Sequence, residues 1–286
     1  MEADLPPLPR TTVTSSGREA LARILAYLRL RSDDEVWITT TLGLRDLQIS
    51  PCVTGTIARY CRFAAQPGPR TAAVLVVHDY GVPDPGLAVL RDRCRRHGWP
   101  LIEDAAHAFA STDSTGRRLG ALADFALYSL PKFFAMPHGG LVSGLPSQAG
   151  DGDDEETAMR LRDVLPQVRT IAEARRHNWL TLDGLLHRVG LESALPPTAG
   201  SMPSVYVLRT ERQFATLRRL RAAAIESGPE LHCGWLLLPC HQSVSPCDLR
   251  RVAAIVGGSG IDDDHVAPSG LQDATRSPGR PLRLTP

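Results

Sequence analysis

Lysine is almost absent from this chain: of its 32 basic side chains, Lys132 alone is a lysine. The acids number 31 and the formal charge is +1, so the chain lacks the basic excess that a nucleic-acid backbone or an anionic membrane surface would call for. It also lacks any apolar run approaching membrane-spanning length. Its first residues, MEADLPPLPRTT, hold no apolar core of a signal peptide. The six cysteines (Cys52, Cys61, Cys94, Cys233, Cys240, Cys247) contain no CxxC pair, which excludes the usual zinc spacings. In a chain of this length they read as the reduced thiols of a cytoplasmic protein rather than as a disulfide frame, and no metal site is expected. There is no internal repeat.

What is present fits one large or two modest domains: 286 residues, 43% hydrophobic and 22% charged. Arginine serves wherever a solvated positive charge is needed. A guanidinium stays protonated and cannot condense with an aldehyde, so the one amine side chain points to amine chemistry. Chance survival in an arginine-rich sequence is the alternative, and the lysine count by itself does not choose between them.

Apolar periodicity and punctuation give an alternating order. Ser16-Gly17 opens a helix with Leu21, Ile24, Leu25 and Leu28 on one face, and a strand at Val36 to Thr41 follows. A helix is expected around Val53 to Phe63. Ala73 to Val77 is a continuous apolar strand of the kind buried on both faces of a parallel sheet. A helix runs from Gly86 to His97, with Leu87, Leu90 and Cys94 on one face, and Gly98 stops it. Leu101-Ile102 leads a short strand into Glu103-Asp104, and strands at Phe125 to Ser129 and Leu141 to Ser143 flank Lys132. This order predicts an α/β fold with a mainly parallel, doubly wound sheet. The expected domains are 1–147, a large cofactor-binding domain; 148–190, an acidic linker (QAGDGDDEE begins it) and connecting helices broken near Pro166; 191–257, a smaller α/β domain; and 258–286, a disordered tail rich in Gly, Ser, Pro and Asp. The small domain should hold strands at Val205 to Leu208 and Trp235 to Leu238, with helices at Gln213 to Ile225 and Pro246 to Val256.

Ligands of doubly wound sheets sit beyond the carboxyl ends of the strands. Asp104 and Ser129 fall at such ends, and Lys132 lies just past Ser129. Ser16-Gly17-Arg18 stands at a helix start, where unpaired N–H groups and the helix dipole favour a phosphate. An amine, a carboxylate, a hydroxyl and an anion-binding helix start together match the needs of pyridoxal 5'-phosphate: an amine to carry it as a Schiff base and a carboxylate to keep its pyridine nitrogen protonated. Singly, each has a plainer reading. Ser16 can be only a cap and Asp104 only a turn residue.

IEDAAHAFAS (102–111) and GRRLGALADFALYSLPKFFAMPHGGLVSG (116–144) resemble the DegT/DnrJ/EryC1/StrS family. SSGREAL (15–21), DDEVWI (33–38), VHDYGVP (77–83), ARRHN (174–178) and LLLPCHQSVSPCDLRRV (236–252) follow in the family's order. The resemblance implies a fold-type-I, pyridoxal-phosphate-dependent aminotransferase that moves an amino group from Glu or Gln to a keto-sugar nucleotide or related intermediate. It makes Lys132 the Schiff-base lysine and proton-shuttling base, and Asp104 the partner of the pyridine nitrogen. It also sets His107 near the ring and its phenolic oxygen, and Ser129 with Ser16, Gly17 and Arg18 around the phosphate. His138-Gly139-Gly140 corresponds to the family's glycine-rich turn after the lysine. A homodimer is implied, or a heterodimer with a longer paralogue. The alternatives are other chemistry on the same cofactor (lyase or racemase) and a non-catalytic partner subunit.

The chain departs from the family in being short. The N-terminal arm is nearly missing, no Asn-Tyr-Arg-Met-like loop lies between Gly144 and Arg175, and Thr39 to Gly43 lack the aromatic that stacks on the cofactor. Among other candidates, His78-Asp79-Tyr80 is read as a structural strand-end turn and Cys240-His241 as a turn before the last helix. Cys52 and Cys61 are read as small core residues, His97 and His187 as surface or core residues, and Arg117-Arg118 as a solvated turn.

Overall fold

The computed structural model describes residues 11–43, 49–146, 154–230 and 235–258. The polar segment Thr11–Thr14 forms a short strand, β1. Helix α1 (Gly17–Leu28) follows, with the Ser16 hydroxyl capping the Glu19 amide and Ala20, Leu21, Ile24 and Leu25 buried along one face. Then come β2 (Glu35–Thr40), α2 (Pro51–Ile57), β3 (Arg62–Ala64) and β4 (Thr71–Val77). Next are α3 (Leu87–His97), β5 (Leu101–Asp104), β6 (Phe125–Ser129) and β7 (Gly140–Ser143). Helix α4 (Glu155–Val164) leads through a 3-10 turn at Leu165–Gln167 into α5 (Val168–His187). The remaining elements are β8 (Val205–Leu208), α6 (Gln213–Ala222), β9 (Gly228–Glu230), β10 (Trp235–Pro239) and α7 (Pro246–Gly257).

The first seven strands form one sheet in the order β1-β7-β6-β5-β4-β2-β3. β3, β2, β4, β5 and β6 run parallel, while β7 and β1 pair antiparallel at one edge. The core explains why these residues make strands. Successive side chains alternate between faces: Val36, Ile38, Leu75, Ile102 and Leu127 join α1 on one side, and Trp37, Val74, Val76, Leu101 and Tyr128 pack on the other. The α/β fold and mainly parallel sheet expected from the sequence are borne out.

The described residues divide into two compact units. One comprises those within 11–175 together with 195–204, and the other those within 176–194 and 205–258. The second unit has the antiparallel sheet β8-β10-β9 and its own core, in which Tyr206, Leu220, Leu236, Leu238 and Val252 are buried. Helix α7 opens on a reciprocal cap between Ser245 and Asp248, with Pro246 in its first turn.

Two local expectations are corrected. The helix expected over Val53 to Phe63 is the shorter α2, and Phe63 belongs to β3, paired with Val36. Val53, Thr54 and Thr56 are stiff at χ1 and Gly55 is permissive, so this segment holds a helix weakly. β1, β3 and β9 were not expected; in each, pairing with a neighbouring strand outweighs a weak local pattern. Most of the expected acidic linker and nearly all of the expected tail lie outside the described residues.

Candidate functional site

Ser16, Gly17, Arg18, Asp104, Ser129 and Lys132 line one cleft of about 360 Å³, at the carboxyl ends of the parallel strands. Leu21, Cys52, Val53, Ala106, Leu127, Pro131, Pro137, His138 and Gly139 complete its wall, and none of these is Phe, Tyr or Trp.

The turn after β6 builds the lysine's position. Ser129 ends the strand, and a single 3-10 turn, Leu130–Lys132, follows it. The Leu130 amide donates to the Gly139 carbonyl at 3.1 Å, and the Gly139 amide donates to the Ser15 carbonyl at 2.9 Å. The His138-Gly139-Gly140 segment therefore ties the lysine turn to the start of α1. A Cβ on Gly140 would lie 2.6 Å from the Gly17 nitrogen, and one on Gly17 would lie 3.3 Å from the Ser129 Cβ. Glycine at both positions lets the helix N-terminus, with its unpaired N–H groups, close on the Ser129 strand end.

Asp104 is buried at the end of β5, where its carboxylate accepts the Ala106 amide at 2.9 Å. Burial pushes its pKa above the ordinary carboxylate value, and the Lys132 charge opposes that shift. Burial pushes the Lys132 amine the other way, below an ordinary lysine, against the pull of Asp104 and Cys52. A fraction of neutral amine is the form that can attack a carbonyl.

His107 lies beside the lysine, with its Nε2 at 2.6 Å from Lys132 Nζ and its Nδ1 at 3.0 Å from the Ser204 hydroxyl. Burial, then the charges of Lys132 and Arg175, hold it well below the usual histidine range. Tyr80, in the left-handed region at φ 51°, sets its ring edge-on to His107 at 5.3 Å, and its carbonyl accepts the Ser204 amide at 2.9 Å. Ser204 carries no signal in the sequence, and Tyr80 sits in the stretch expected to be a structural turn. Ser204 stands 97 residues from His107, and no local pattern announces it.

The other candidates resolve geometrically. His78 is fully buried: its Nε2 is 3.0 Å from Glu103, its Nδ1 accepts the Asp84 amide at 3.1 Å, and it does not line the cleft. Cys240 is buried in the second unit's core, and His241 Nδ1 accepts the Ser243 amide at 3.3 Å. His97 stacks on Trp99 at 4.2 Å, and His187 ends α5. Two expectations are corrected. Cys61 is buried, but Cys52 is exposed on the cleft wall, with its thiol 2.8 Å from the Ser50 hydroxyl, because it stands in the first turn of α2. Arg117 is exposed and pairs with Asp113, whereas Arg118 is buried over the rings of Phe109 and Tyr128, at 4.8 and 5.5 Å. The described cysteines are free thiols, and among the described residues no helix is long and apolar enough to cross a membrane.

Residues 64–148 match the DegT/DnrJ/EryC1/StrS aminotransferase family. The match contains Asp104, His107, Ser129 and Lys132, and the resemblance read from the sequence is borne out. A dTDP-3-amino-3,4,6-trideoxy-alpha-D-glucose transaminase of Streptomyces venezuelae is 30% identical over 187 residues, covering 56% of this chain and 49% of that protein. An L-glutamine:scyllo-inosose aminotransferase of Streptomyces griseus is 30% identical over 171 residues, 55% of this chain and 38% of that protein. The chain thus spans about half, or less, of the length of these relatives. The fold is shared with the aminotransferase TlmJ of Streptoalloteichus hindustanus, at a TM-score of 0.73 and 22% identity over 87% of this chain and 85% of that one. It is also shared with S. venezuelae DesV, solved in complex with a ketimine intermediate, at a TM-score of 0.69 and 22% identity over 87% and 84%.

The family implies pyridoxal phosphate, and the residues present fit it. The cleft offers an amine of lowered basicity, a buried carboxylate and a strand-end hydroxyl. It also has a helix start whose close approach a Cβ on Gly140 would block.

Proposed function

We propose that this chain binds pyridoxal phosphate on Lys132 and acts as an aminotransferase, moving an amino group from glutamate or glutamine to the keto group of a sugar-nucleotide or related biosynthetic intermediate. The observation that carries this reading is the convergence of the chain's one lysine, the buried Asp104 and the α1 start on a single cleft. The names of the two relatives, one a transaminase of a dTDP-linked sugar and one a glutamine:scyllo-inosose aminotransferase, support the substrate class.

The cofactor, when bound, supplies an electron sink for a carbon that loses its proton. In this reading Asp104 holds the pyridine nitrogen protonated. Ser129 and the N–H groups of Gly17 and Arg18 hold the phosphate, with the Ser16 cap fixing the helix start. Lys132 would hold the cofactor, and its amine, when free, would take a proton from the substrate carbon and return it. His107, oriented by Ser204, keeps the amine in place. The first unit, which takes in residues 195–204, serves as the cofactor domain and the second as the small domain of a cytoplasmic homodimer.

The test is the half-reaction. Loaded protein is mixed with L-glutamate or L-glutamine, and released cofactor is identified by mass. Pyridoxamine phosphate with either donor supports the reading. Bound cofactor that no amino donor converts overturns the transaminase assignment.

A further inference from the structure

Among the described residues three besides glycines have a positive φ: Arg29, Tyr80 and Ala224. Arg29 caps the end of α1 and Ala224 lies just past the cap of α6, where a left-handed residue is an ordinary way to end a helix. Tyr80 is different. It sits in the middle of a single turn after β4, Asp79–Gly81, at φ 51° and ψ 26°. That conformation disfavours a bulky side chain and persists only where the surroundings hold it. Here they do. The Asp79 carboxylate accepts the Leu42 amide at 3.0 Å, and the Gly81 carbonyl accepts the Ser111 hydroxyl at 2.7 Å. The Ser111 oxygen in turn accepts the Met202 amide at 2.9 Å, and a Cβ on Gly81 would run into the Met202 carbonyl. The turn is thus clasped on both sides, and the chain at 202–204 lies directly on it.

Two groups of Tyr80 meet the pair beside the lysine. Its carbonyl accepts the Ser204 amide at 2.9 Å, and its ring stands edge-on to the His107 ring at 5.3 Å and 67°. The Ser204 hydroxyl is 3.0 Å from His107 Nδ1, and His107 Nε2 is 2.6 Å from Lys132 Nζ. We infer that Tyr80 is a positioning residue: its left-handed backbone aims a carbonyl at Ser204 and a ring edge at His107, and together these fix the imidazole that holds the Lys132 amine. Glycine would meet the backbone requirement without steric cost, so the ring is what a tyrosine adds at this position. The inference rests on the reading of Lys132 as the reacting amine, and its test needs no cofactor.

Trace acetylation of the full chain with acetic anhydride across pH, mapped by mass spectrometry, reads the titration midpoint of the one lysine. Tyr80→Gly and Tyr80→Asn both suit a left-handed backbone and drop the ring. Each should lower the midpoint by about half a pH unit or more, because the amine loses a fixed acceptor. Tyr80→Phe keeps the ring and should match wild type. The other groups acting on the pair (Asp104, Cys52 and Arg175) and the cleft's Arg18 and His138 are unchanged in all of these proteins. In a His107→Leu background Tyr80→Gly should shift the midpoint no further. Midpoints of Tyr80→Gly and Tyr80→Asn that match wild type overturn the inference, as does a glycine shift that persists without His107. A Tyr80→Phe shift as large as glycine's assigns the effect to the hydroxyl and overturns it too. Pyridoxal phosphate capture is measured on the same proteins. A Tyr80-dependent midpoint in a chain that forms no Lys132 adduct keeps the positioning role and sinks the reading of Lys132 as the cofactor lysine. An adduct with a Tyr80-independent midpoint does the reverse.

Discussion

Lys132 Nζ and His107 Nε2 lie 2.6 Å apart, and the far side of the imidazole meets the Ser204 hydroxyl at 3.0 Å. Because burial and the neighbouring charges hold His107 well below its usual range, the imidazole is the neutral partner. Its Nε2 then accepts from the ammonium, and the ring proton on Nδ1 is donated to Ser204. Ser204 is held in turn through its amide on the Tyr80 carbonyl. The lysine is thus positioned from a segment far along the chain.

This arrangement fixes a sign. A neutral acceptor stabilises the charged amine, so removing it lowers the Lys132 pKa further. His107→Leu should move the pH midpoint of amine capture by pyridoxal phosphate downward, while His107→Gln, which keeps an acceptor, should stay near wild type. The midpoint is read from borohydride-trapped yield against pH. An upward move with Leu would make His107 the cationic partner.

Asp104 should show function held at a cost to stability. Burial raises its pKa in the folded state, so between the unfolded and folded values the folded chain binds more protons, and stability falls as pH rises through that window. Asp104→Asn removes that penalty. Its stability relative to wild type should therefore increase from about pH 4 to about pH 7, while its affinity for pyridoxal phosphate drops at least about tenfold. Urea titrations at both pH values and an equilibrium cofactor titration check the two halves.

Gly140→Ala should damage both fold and site. The added methyl would run into the Ser16 carbonyl carbon and sit 2.6 Å from the Gly17 nitrogen, so α1 has to shift. Overpacking of this kind costs about 1–3 kcal/mol, measurable by urea unfolding. Cofactor affinity should fall with it because the helix start moves off Ser129.

The buried pair behind the cleft is expected to be structural. Glu103 meets His78 at 3.0 Å and accepts the Gly120 and Ala123 amides at 2.7 and 2.9 Å. His78→Leu leaves that carboxylate buried without its side-chain partner, which should cost about 3–5 kcal/mol in urea unfolding. If the protein is as stable as wild type, the pair contributes nothing to the fold.

How far the sequence foretold the structure depended on where each residue's partners lie. Ala73 to Val77 announced a central strand because burial on both faces leaves an unbroken apolar run, and Ser16 announced a helix start because capping is local. Asp104, Ser129 and Lys132 were readable because strand ends and the turn after β6 sit within one continuous stretch. β1 was not, since Thr11–Thr14 is polar and is held as a strand by antiparallel pairing with β7. The same holds for Arg118, whose burial comes from the Phe109 and Tyr128 rings folding over it rather than from any local pattern, and for Ser204, which reaches His107 only through the return of residues 195–204 to the large unit. Cys52 was read as a core residue because the helix signal began only at Val53, whereas α2 starts at Pro51 and its first turn is exposed.

Because the chain has one lysine, the attachment of the cofactor to Lys132 can be tested directly. Protein is incubated with pyridoxal phosphate, reduced with borohydride, digested and mapped by mass spectrometry. A phosphopyridoxyl group is expected on Lys132 and none on a Lys132→Ala protein, which has no other lysine to substitute. Unmodified Lys132 after reconstitution, or equal labelling of the alanine variant, would contradict it.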